Sequence, residues 1–300
     1  KFQKIVCAYL SEYAVTYFGE EQLESNSFTY RLKTILDNVM YLMKHIMEEL
    51  SQSEFFVADC ELKIGEDIPS YTIALPDGHK IAVCGSVDRV DIMQRADITY
   101  LRIIDYKTGT KQFKLSDILY GINLQMLLYL HSIETSGGDK YGDIVPAGIL
   151  YMPATVPYIS SDSLKSIDKL PDELNKKLKM NGLLLKDTEI IHGMDKTDAA
   201  TYIPVKIKAG EPVSSTSLAT LAEFGKIFKK VDMLIAEMGK NIYNGNIEAK
   251  PLKGGHDSCE YCPYDSVCAY RQSNPITCFS VDNKTVIEEI TNEINGKEEE

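Results

Sequence analysis

Two apolar runs separated by a short turn constrain this chain more than any other feature. Residues 79–92 (HKIAVCGSVDRVDI) and 99–106 (TYLRIIDY) are rich in the β-branched and apolar residues of core strands. Yet each carries a carboxylate, Asp88 in GSVDRVD and Asp105 in IIDYKTG. A buried carboxylate is costly unless a cation or a hydrogen-bond donor answers it. The two runs are therefore expected to lie side by side in one sheet, with their aspartates sharing whatever answers them.

In a strand, residues i and i+2 share a face about 6–7 Å apart, so Asp105 and Lys107 point one way and Tyr106 the other. For an isolated D-x-K triplet a structural salt bridge is the ordinary explanation. Asp88, 17 residues before Asp105 at the end of another apolar run, changes that reading. Two carboxylates at close range repel unless a cation sits between them, and oxygen ligands suit Mg²⁺ or Mn²⁺. Lys107 would then hold or deprotonate a water aimed at phosphorus, or stabilise charge in the transition state. These residue types point to metal-dependent phosphodiester chemistry.

The rest of the chain reads around this pair. Residues 27–51 place Leu32, Ile35, Val39, Leu42, Ile46 and Leu50 at helical spacing, which predicts a long amphipathic helix with a shorter one before it. Strands are expected at 55–63, 71–76, 79–92 and 99–106, with Pro76-Asp77-Gly78 as a hairpin turn. Ser116 is placed to cap a helix through SDILYGINLQMLLYLHSIE, and IVPAGILYMPA from residue 144 predicts a buried strand. The expected divisions are N-terminal helices over 1–52, a core over 53–157, an insertion over 158–215, a helix and cysteine segment over 216–280, and an acidic tail over 281–300 whose VIEEITNEINGKEEE is read as a short helix with a frayed end. The order of elements, helix, three strands, helix, strand, is that of an α/β chain.

The 300 residues are 44% apolar and carry a net charge of −12, so a sizeable core can form, and any nucleic-acid contact must rest on local patches or on another subunit. A membrane span and a signal peptide are not expected, which predicts a cytoplasmic protein. The start at Lys1 without a Met suggests a piece of a longer chain.

GSVDRVD, then IIDYKTG, then YGINLQMLLYL resembles the RecB-like class of PD-(D/E)xK nucleases, in which a G-x-x-D strand, a D-Y-K strand and a Q-x-x-x-Y helix recur in this order. The likeness is closest to the C-terminal nuclease domain of the B subunit of AddAB-type ATP-dependent helicase/deoxyribonucleases, and it runs from about residue 25 to 272. It implies an α/β restriction-endonuclease-like core with a mixed central sheet flanked by helices, a helical or irregular insertion and a C-terminal Cys cluster. Asp88 and Asp105 would be metal ligands together with the Tyr106 carbonyl, Lys107 the catalytic lysine, and Gln125 and Tyr129 residues directed toward the site and the DNA backbone. Gly85 would avoid crowding at the strand junction, and Arg89, Asp91 and Thr108 would support the site, Arg89 more simply as a structural ion pair. Such nucleases carry a further His ligand on an N-terminal helix. His45 is read as a surface or packing residue instead, and Glu61 as a weaker acidic candidate.

Cys259, Cys262 and Cys268 form C-x₂-C-x₅-C. Outside an oxidising compartment, such spacing points to zinc or an iron–sulfur cluster. His256 could complete a Cys₃His zinc site. The resemblance implies instead a structural 4Fe-4S cluster whose fourth Cys lies near the start of the domain. Cys7 does not sit in the expected context, so that ligand is expected upstream of Lys1. Cys60 and Cys84 are expected as small buried residues, and Cys278 as a solvent-exposed one.

The resemblance implies a DNA exonuclease domain acting on single strands during double-strand-break repair, with the remainder of a B subunit and a helicase A subunit as partners. The chain has no G-x-x-x-x-G-K motif followed by Ser or Thr, so it cannot itself hydrolyse ATP. Rival readings are a DNA-binding clamp held by iron–sulfur with a degenerate site, and a zinc-stabilised scaffold that docks proteins. Lys176, Lys177 and Lys179 make a local basic patch, read most simply as a solvated helix face.

Overall fold

A computed structural model describes residues 2–20, 25–75, 78–109, 112–157, 159, 170–214, 216–268, 270 and 275–298. Helices α1 (Phe2–Phe18) and α2 (Asn26–Ser51) precede strands β1 (Phe56–Ile64), β2 (Tyr71–Ala74), β3 (Lys80–Val83), β4 (Gly85–Arg95) and β5 (Ile98–Lys107). A 3₁₀ segment (Leu115–Tyr120), α3 (Gln125–Ser136) and a short α4 (Gly138–Tyr141) lead to β6 (Asp143–Pro153). Then come α5 (Leu170–Leu178), β7 (Asn181–Leu185), α6 (Thr188–Met194), β8 (Lys206–Lys208), β9 (Glu211–Val213) and β10 (Leu218–Ala219). The chain closes with α7 (Leu221–Tyr243), β11 (Leu252–Gly254), α8 (Asp265–Cys268), β12 (Ile276–Cys278) and α9 (Asn283–Glu298).

The central sheet has the order β1-β4-β5-β6-β7-β10. β4 pairs antiparallel with β1 and β5, β5 pairs parallel with β6, β6 antiparallel with β7, and β7 parallel with β10. This is the mixed, helix-flanked sheet that the sequence predicts. The β5–β6 crossover runs through α3, as a parallel pair requires. β5 and β6 are buried almost throughout because both faces are covered, and their sequences are apolar on both parities.

Several expected elements take a different form. The run 79–92 is two strands, not one: β3 pairs with β2 in a separate hairpin, and the chain breaks at Cys84 before β4 joins the main sheet. Pro76 and Asp77 of the expected turn lie outside the described residues; Gly78 has φ +87°, a turn conformation that favours glycine. The helix expected from Ser116 is divided, because Gly121 (φ +67°) and Asn123 (φ +55°) enter the left-handed region between its two parts. Ser116 is no cap; it is buried within the 3₁₀ segment. The helix expected from 216 instead starts at Leu221, closed by a capping box between Thr220 and Glu223.

The segment 158–215, most of whose first part lies outside the described residues, contributes β7 to the central sheet, with Leu183 and Leu184 fully buried. Its Gly182 sits against the Ile149 carbonyl of β6, where a Cβ would come within 2.0 Å. The helix expected in the acidic tail is α9: Val286, Ile290 and Ile294 repeat every fourth residue and are buried, packing it onto the core, and Lys230 of α7 pairs with Glu293. Among the described residues no helix is long and apolar enough to cross a membrane.

One side of the sheet holds a cluster of charges. Glu49 of α2, Arg89 and Asp91 of β4, and Arg102 of β5 are all at most 2% exposed. Arg89 binds Asp91 in a two-pronged contact (Nε–Oδ1 2.8 Å, Nη2–Oδ2 2.7 Å) and also reaches Glu49 (2.9 Å). Arg102 bridges Glu49 (2.6 Å) and Asp91 (3.0 Å), with its guanidinium 5.0 Å from the Phe55 ring centre. Burial pushes the Asp91 carboxyl up, but the Arg102 and Arg89 charges and their hydrogen bonds outweigh it and hold the group below the usual carboxylate range. Glu49 follows His45 by one helical turn on the face of α2 that meets the sheet, so the cluster fastens that helix to β4 and β5.

A second, partly buried network joins α3 to α7. The His131 ring lies between Glu134 (3.1 Å) and Asp232 (3.3 Å) and stacks on Phe228 at 4.6 Å. Burial works against its charge, but hydrogen bonds to Asp232 and Glu134 win and raise its pKa to about 9.

Both networks can be probed by unfolding. Glu49→Ala leaves two buried guanidinium groups short of a partner and is expected to destabilise the fold by about 3–5 kcal/mol in urea unfolding; a loss below about 1 kcal/mol would contradict the packing role. His131 has a folded pKa above its unfolded value of 6.5, so its contribution is full below pH 6.5 and lost as pH rises through about 9. Unfolding free energy should fall over that window by at most about 3 kcal/mol, and the fall should be absent in His131→Gln.

Candidate active site

The ladder between β4 and β5 pairs Val90 with Ile103 and Arg89 with Ile104. One step further along the same register sets Asp88 opposite Asp105, and directly opposed residues have Cβ atoms about 4.5–5.5 Å apart. Because side chains alternate, Asp88, Asp105 and Lys107 share one face, while Arg89, Asp91, Arg102 and Tyr106 occupy the other. The Tyr106 backbone N–H donates to Asp88 Oδ2 at 2.9 Å, drawing that carboxylate onto β5. The Tyr106 ring lies on the opposite side, where its hydroxyl accepts from Arg89 Nη1 at 3.3 Å. Arg89 and Asp91 thus belong to the buried charge cluster, on the face of the sheet away from the aspartate pair.

Lys107 Nζ meets Asp105 Oδ2 in an ion pair and stands 5.6 Å from the centre of the Tyr151 ring. Asp105 is 8% exposed, and its buried Oδ2 has no hydrogen bond to complete it beyond that ion pair. Tyr151 is its neighbour on β6. Burial first, then the charges of Asp105 and Asp117, push the Tyr151 hydroxyl up to about 12, so it stays a neutral wall beside the carboxylate. Asn181 follows in the same row on β7, its Oδ1 accepting from the Phe113 N–H at 2.7 Å and fastening the loop after β5. Thr108 at the end of β5 accepts through its carbonyl from Thr155 Oγ1 (3.3 Å).

Gln125 opens α3 and is exposed, and Tyr129 lies one turn on, half-buried. The Tyr129 hydroxyl fills the space at Gly85: a Cβ on residue 85 would stand 2.2 Å from it. Gly85 therefore lets the start of β4 pass under the α3 tyrosine, as the sequence suggests for that junction.

Of the two other candidates, His45 leaves the site and Glu61 lies beside it on β1. His45 is buried against Tyr202 (ring centres 5.3 Å apart), and burial lowers its pKa, so it is a packing residue. Glu61 is exposed, with φ +54°, and accepts from Ser86 Oγ at 3.1 Å. Its ladder position, between the pairs Cys60–Arg89 and Leu62–Val87, is level with Asp88.

The donor set at Asp88 and Asp105, two carboxylates on one face of the sheet, suits a hard divalent cation, with Lys107 paired to Asp105 Oδ2 beside it. The cysteine segment does not fit a cluster as it stands. Cys268 is exposed, Cys259 and Cys262 are half-buried, and among the described residues no group of three His, Cys, Asp or Glu side chains is arranged to hold a metal. The expectations for the other thiols reverse: Cys60 and Cys84 are exposed, the first on the edge strand β1 and the second at the β3–β4 break, whereas Cys278 is buried on β12.

Sequence comparison places residues 8–269 in the PD-(D/E)XK nuclease superfamily, and the chain belongs to that family. Its curated relatives include the B subunit of the ATP-dependent helicase/deoxyribonuclease of Thermoanaerobacter sp. (strain X514), 39% identical over 246 residues, which cover 80% of this chain and 21% of the relative. The protein of that name from Alkaliphilus oremlandii is 35% identical over 274 residues (88% and 24%), and that from Clostridium kluyveri 36% over 281 residues (91% and 24%). The chain thus spans only 21–24% of the length of these relatives.

The close approach at Gly85 gives a direct check of this geometry. Gly85→Ala should displace the Tyr129 ring and cost about 1–3 kcal/mol; adding Tyr129→Ala should recover part of that loss in a double-mutant cycle. Strictly additive effects would mean that the two positions do not touch.

Proposed function

We propose that this chain cleaves DNA phosphodiesters with a divalent cation, Mg²⁺ or Mn²⁺, held by Asp88, Asp105 and the Tyr106 carbonyl. The observation that carries the reading is the pairing of Asp88 and Asp105 on one face, with Lys107 held on the second carboxylate. When bound, the cation would neutralise charge on the scissile phosphate and lower the pKa of a coordinated water.

The chain's own residues supply the rest. Asp105 and the Tyr151 ring restrict the Lys107 ammonium to one place, from which it donates hydrogen bonds to a water or to a phosphoryl oxygen as charge develops there. The Tyr106 N–H fixes the rotamer of Asp88. Gln125 stands in the open first turn of α3, where its amide can reach a phosphate or base edge, and the Tyr129 hydroxyl stands at the start of β4.

As in the relatives' name, we assign the whole protein to a helicase/deoxyribonuclease, with DNA as substrate, this chain as part of a B subunit, and an A subunit as partner. An exonuclease acting on single strands in double-strand-break repair is the form of the activity we propose. A 4Fe-4S cluster on Cys259, Cys262 and Cys268 is a separate proposal: the spacing supports it, the arrangement of the thiols does not, and the iron and sulfide content of anaerobically purified full-length protein decides it.

Cleavage of single-stranded DNA by the full-length protein with its partner, in Mg²⁺ or in EDTA, tests the function. Cutting should require the metal and fall at least about 100-fold in Lys107→Ala and in Asp105→Ala. A variant that cuts at the parent rate would remove these residues from the reaction.

A further inference from the structure

The N-terminal helices carry more apolar surface than they bury. Among its 17 residues α1 (FQKIVCAYLSEYAVTYF) has two charged ones, Lys4 and Glu12. A helix that is apolar on most of its circumference is ordinarily covered on more than one side. Here α2 covers one: Ala14 is the one buried residue among those described in α1, and Phe18 meets Phe28 of α2 edge-on, with ring centres 5.2 Å apart. The buried residues of α2 itself, His45 and Glu49, both lie in the last third of its length.

Ile5, Tyr9, Tyr13 and Tyr17 recur every fourth residue and so form a stripe along another side of α1. They are 47%, 70%, 54% and 69% exposed, and the Tyr13 and Tyr17 rings lie 4.5 Å apart. The three tyrosines, with Val39 of α2, line an open groove of about 550 Å³ along the helix pair, in which Glu12 is the charged residue. At about 200 Å² a ring, the tyrosines leave on the order of 400 Å² in water, and Ile5 and Phe18 extend a patch larger than a free-standing domain usually exposes.

The chemistry of the groove narrows its occupant. It offers no cation to a phosphate and little charge to a polar partner. Apolar anchors at i and i+4 beside a second helix suit the apolar face of a third one. Contacts of this apolar character are those of permanent association rather than of passing encounters. The curated relatives offer a source within one polypeptide, because this chain spans only 21–24% of their length.

We propose that the groove between α1 and α2 seats an amphipathic helix of the same B-subunit polypeptide, from outside these 300 residues; the proposal rests on the assignment of the chain to a longer B subunit made above. The helix pair is then the joint between this chain and the rest of the subunit. α2 carries Glu49, which binds Arg89 and Arg102, so the joint is fastened directly to the strands that bear Asp88 and Asp105.

Hydroxyl-radical footprinting of the full-length B subunit without its A partner, read by mass spectrometry at Tyr9, Tyr13 and Tyr17, tests this. All three should be oxidised at least about 5-fold more slowly than in a peptide of residues 2–18, as expected of rings at the centre of an interface. Rings left 54–70% exposed would react at more than half the peptide's rate. A photocrosslinking p-benzoylphenylalanine in place of Tyr9 should join to a segment of the same polypeptide outside residues 1–300.

The proposal is overturned if the tyrosines react like the peptide in the B subunit alone, if they become protected only when the A subunit is added, if protection is lost when a dimer of B is diluted to monomer, or if the crosslink falls within residues 1–300 or on another chain. Failure of the subunit assignment shows elsewhere: a source protein with an intact mass near 33.7 kDa would contain no such segment.

Discussion

The register between β4 and β5 is the constraint on which the site depends. A slip of one residue would turn Asp88 to the other face and set it among the charges of Arg89 and Arg102. What opposes the slip is the cross-strand pair Asp91–Arg102, held with Arg89 and Glu49 in a buried cluster behind the sheet. A cluster of this kind contributes little net stability compared with apolar packing, but removing one member leaves a buried charge unanswered. Its role is specificity of pairing: charges on one face of the sheet choose the register that brings two carboxylates together on the other.

From that row the sheet extends in one direction toward function. β6 places Tyr151 beside Asp105, and β7 places Asn181 beside Tyr151, where it fastens the loop after β5. On the β4 side, Gly85 admits the α3 tyrosine, so the helix that carries Gln125 and Tyr129 approaches the strand start closely. With a net charge of −12 the chain as a whole is a poor general attractor for DNA.

The centre of the site was legible because its chemistry is written into strand periodicity. Asp88, Asp105 and Lys107 fall on one parity of two runs that the structure pairs, so their shared face could be read from the sequence. The cluster behind the sheet was less visible, although it left a signal: Arg89 and Arg102 interrupt apolar strands, and Glu49 lies on the inner face of a helix. Elements whose limits depend on tertiary packing escaped the sequence pattern. The β3–β4 break follows from strand pairing with different partners, the interruption after the 3₁₀ segment from left-handed Gly121 and Asn123, and the membership of β7 in the central sheet from packing at Gly182 that a short run of leucines does not reveal. Exposure of single cysteines was not readable at all, because a small side chain is tolerated on either face of an edge strand.

Direct measurement of Mn²⁺ binding tests the central claim most closely. Free Mn²⁺ gives an electron paramagnetic resonance signal that is lost on binding, so titration of the protein in the presence of oligo-dT reports the site independently of cutting. The account predicts saturable binding that weakens by at least about 10-fold in Asp105→Asn and in Asp88→Asn, with little change in Glu61→Gln. Unchanged Mn²⁺ affinity in both aspartate variants would contradict the account and separate the carboxylate pair from any metal chemistry of this chain.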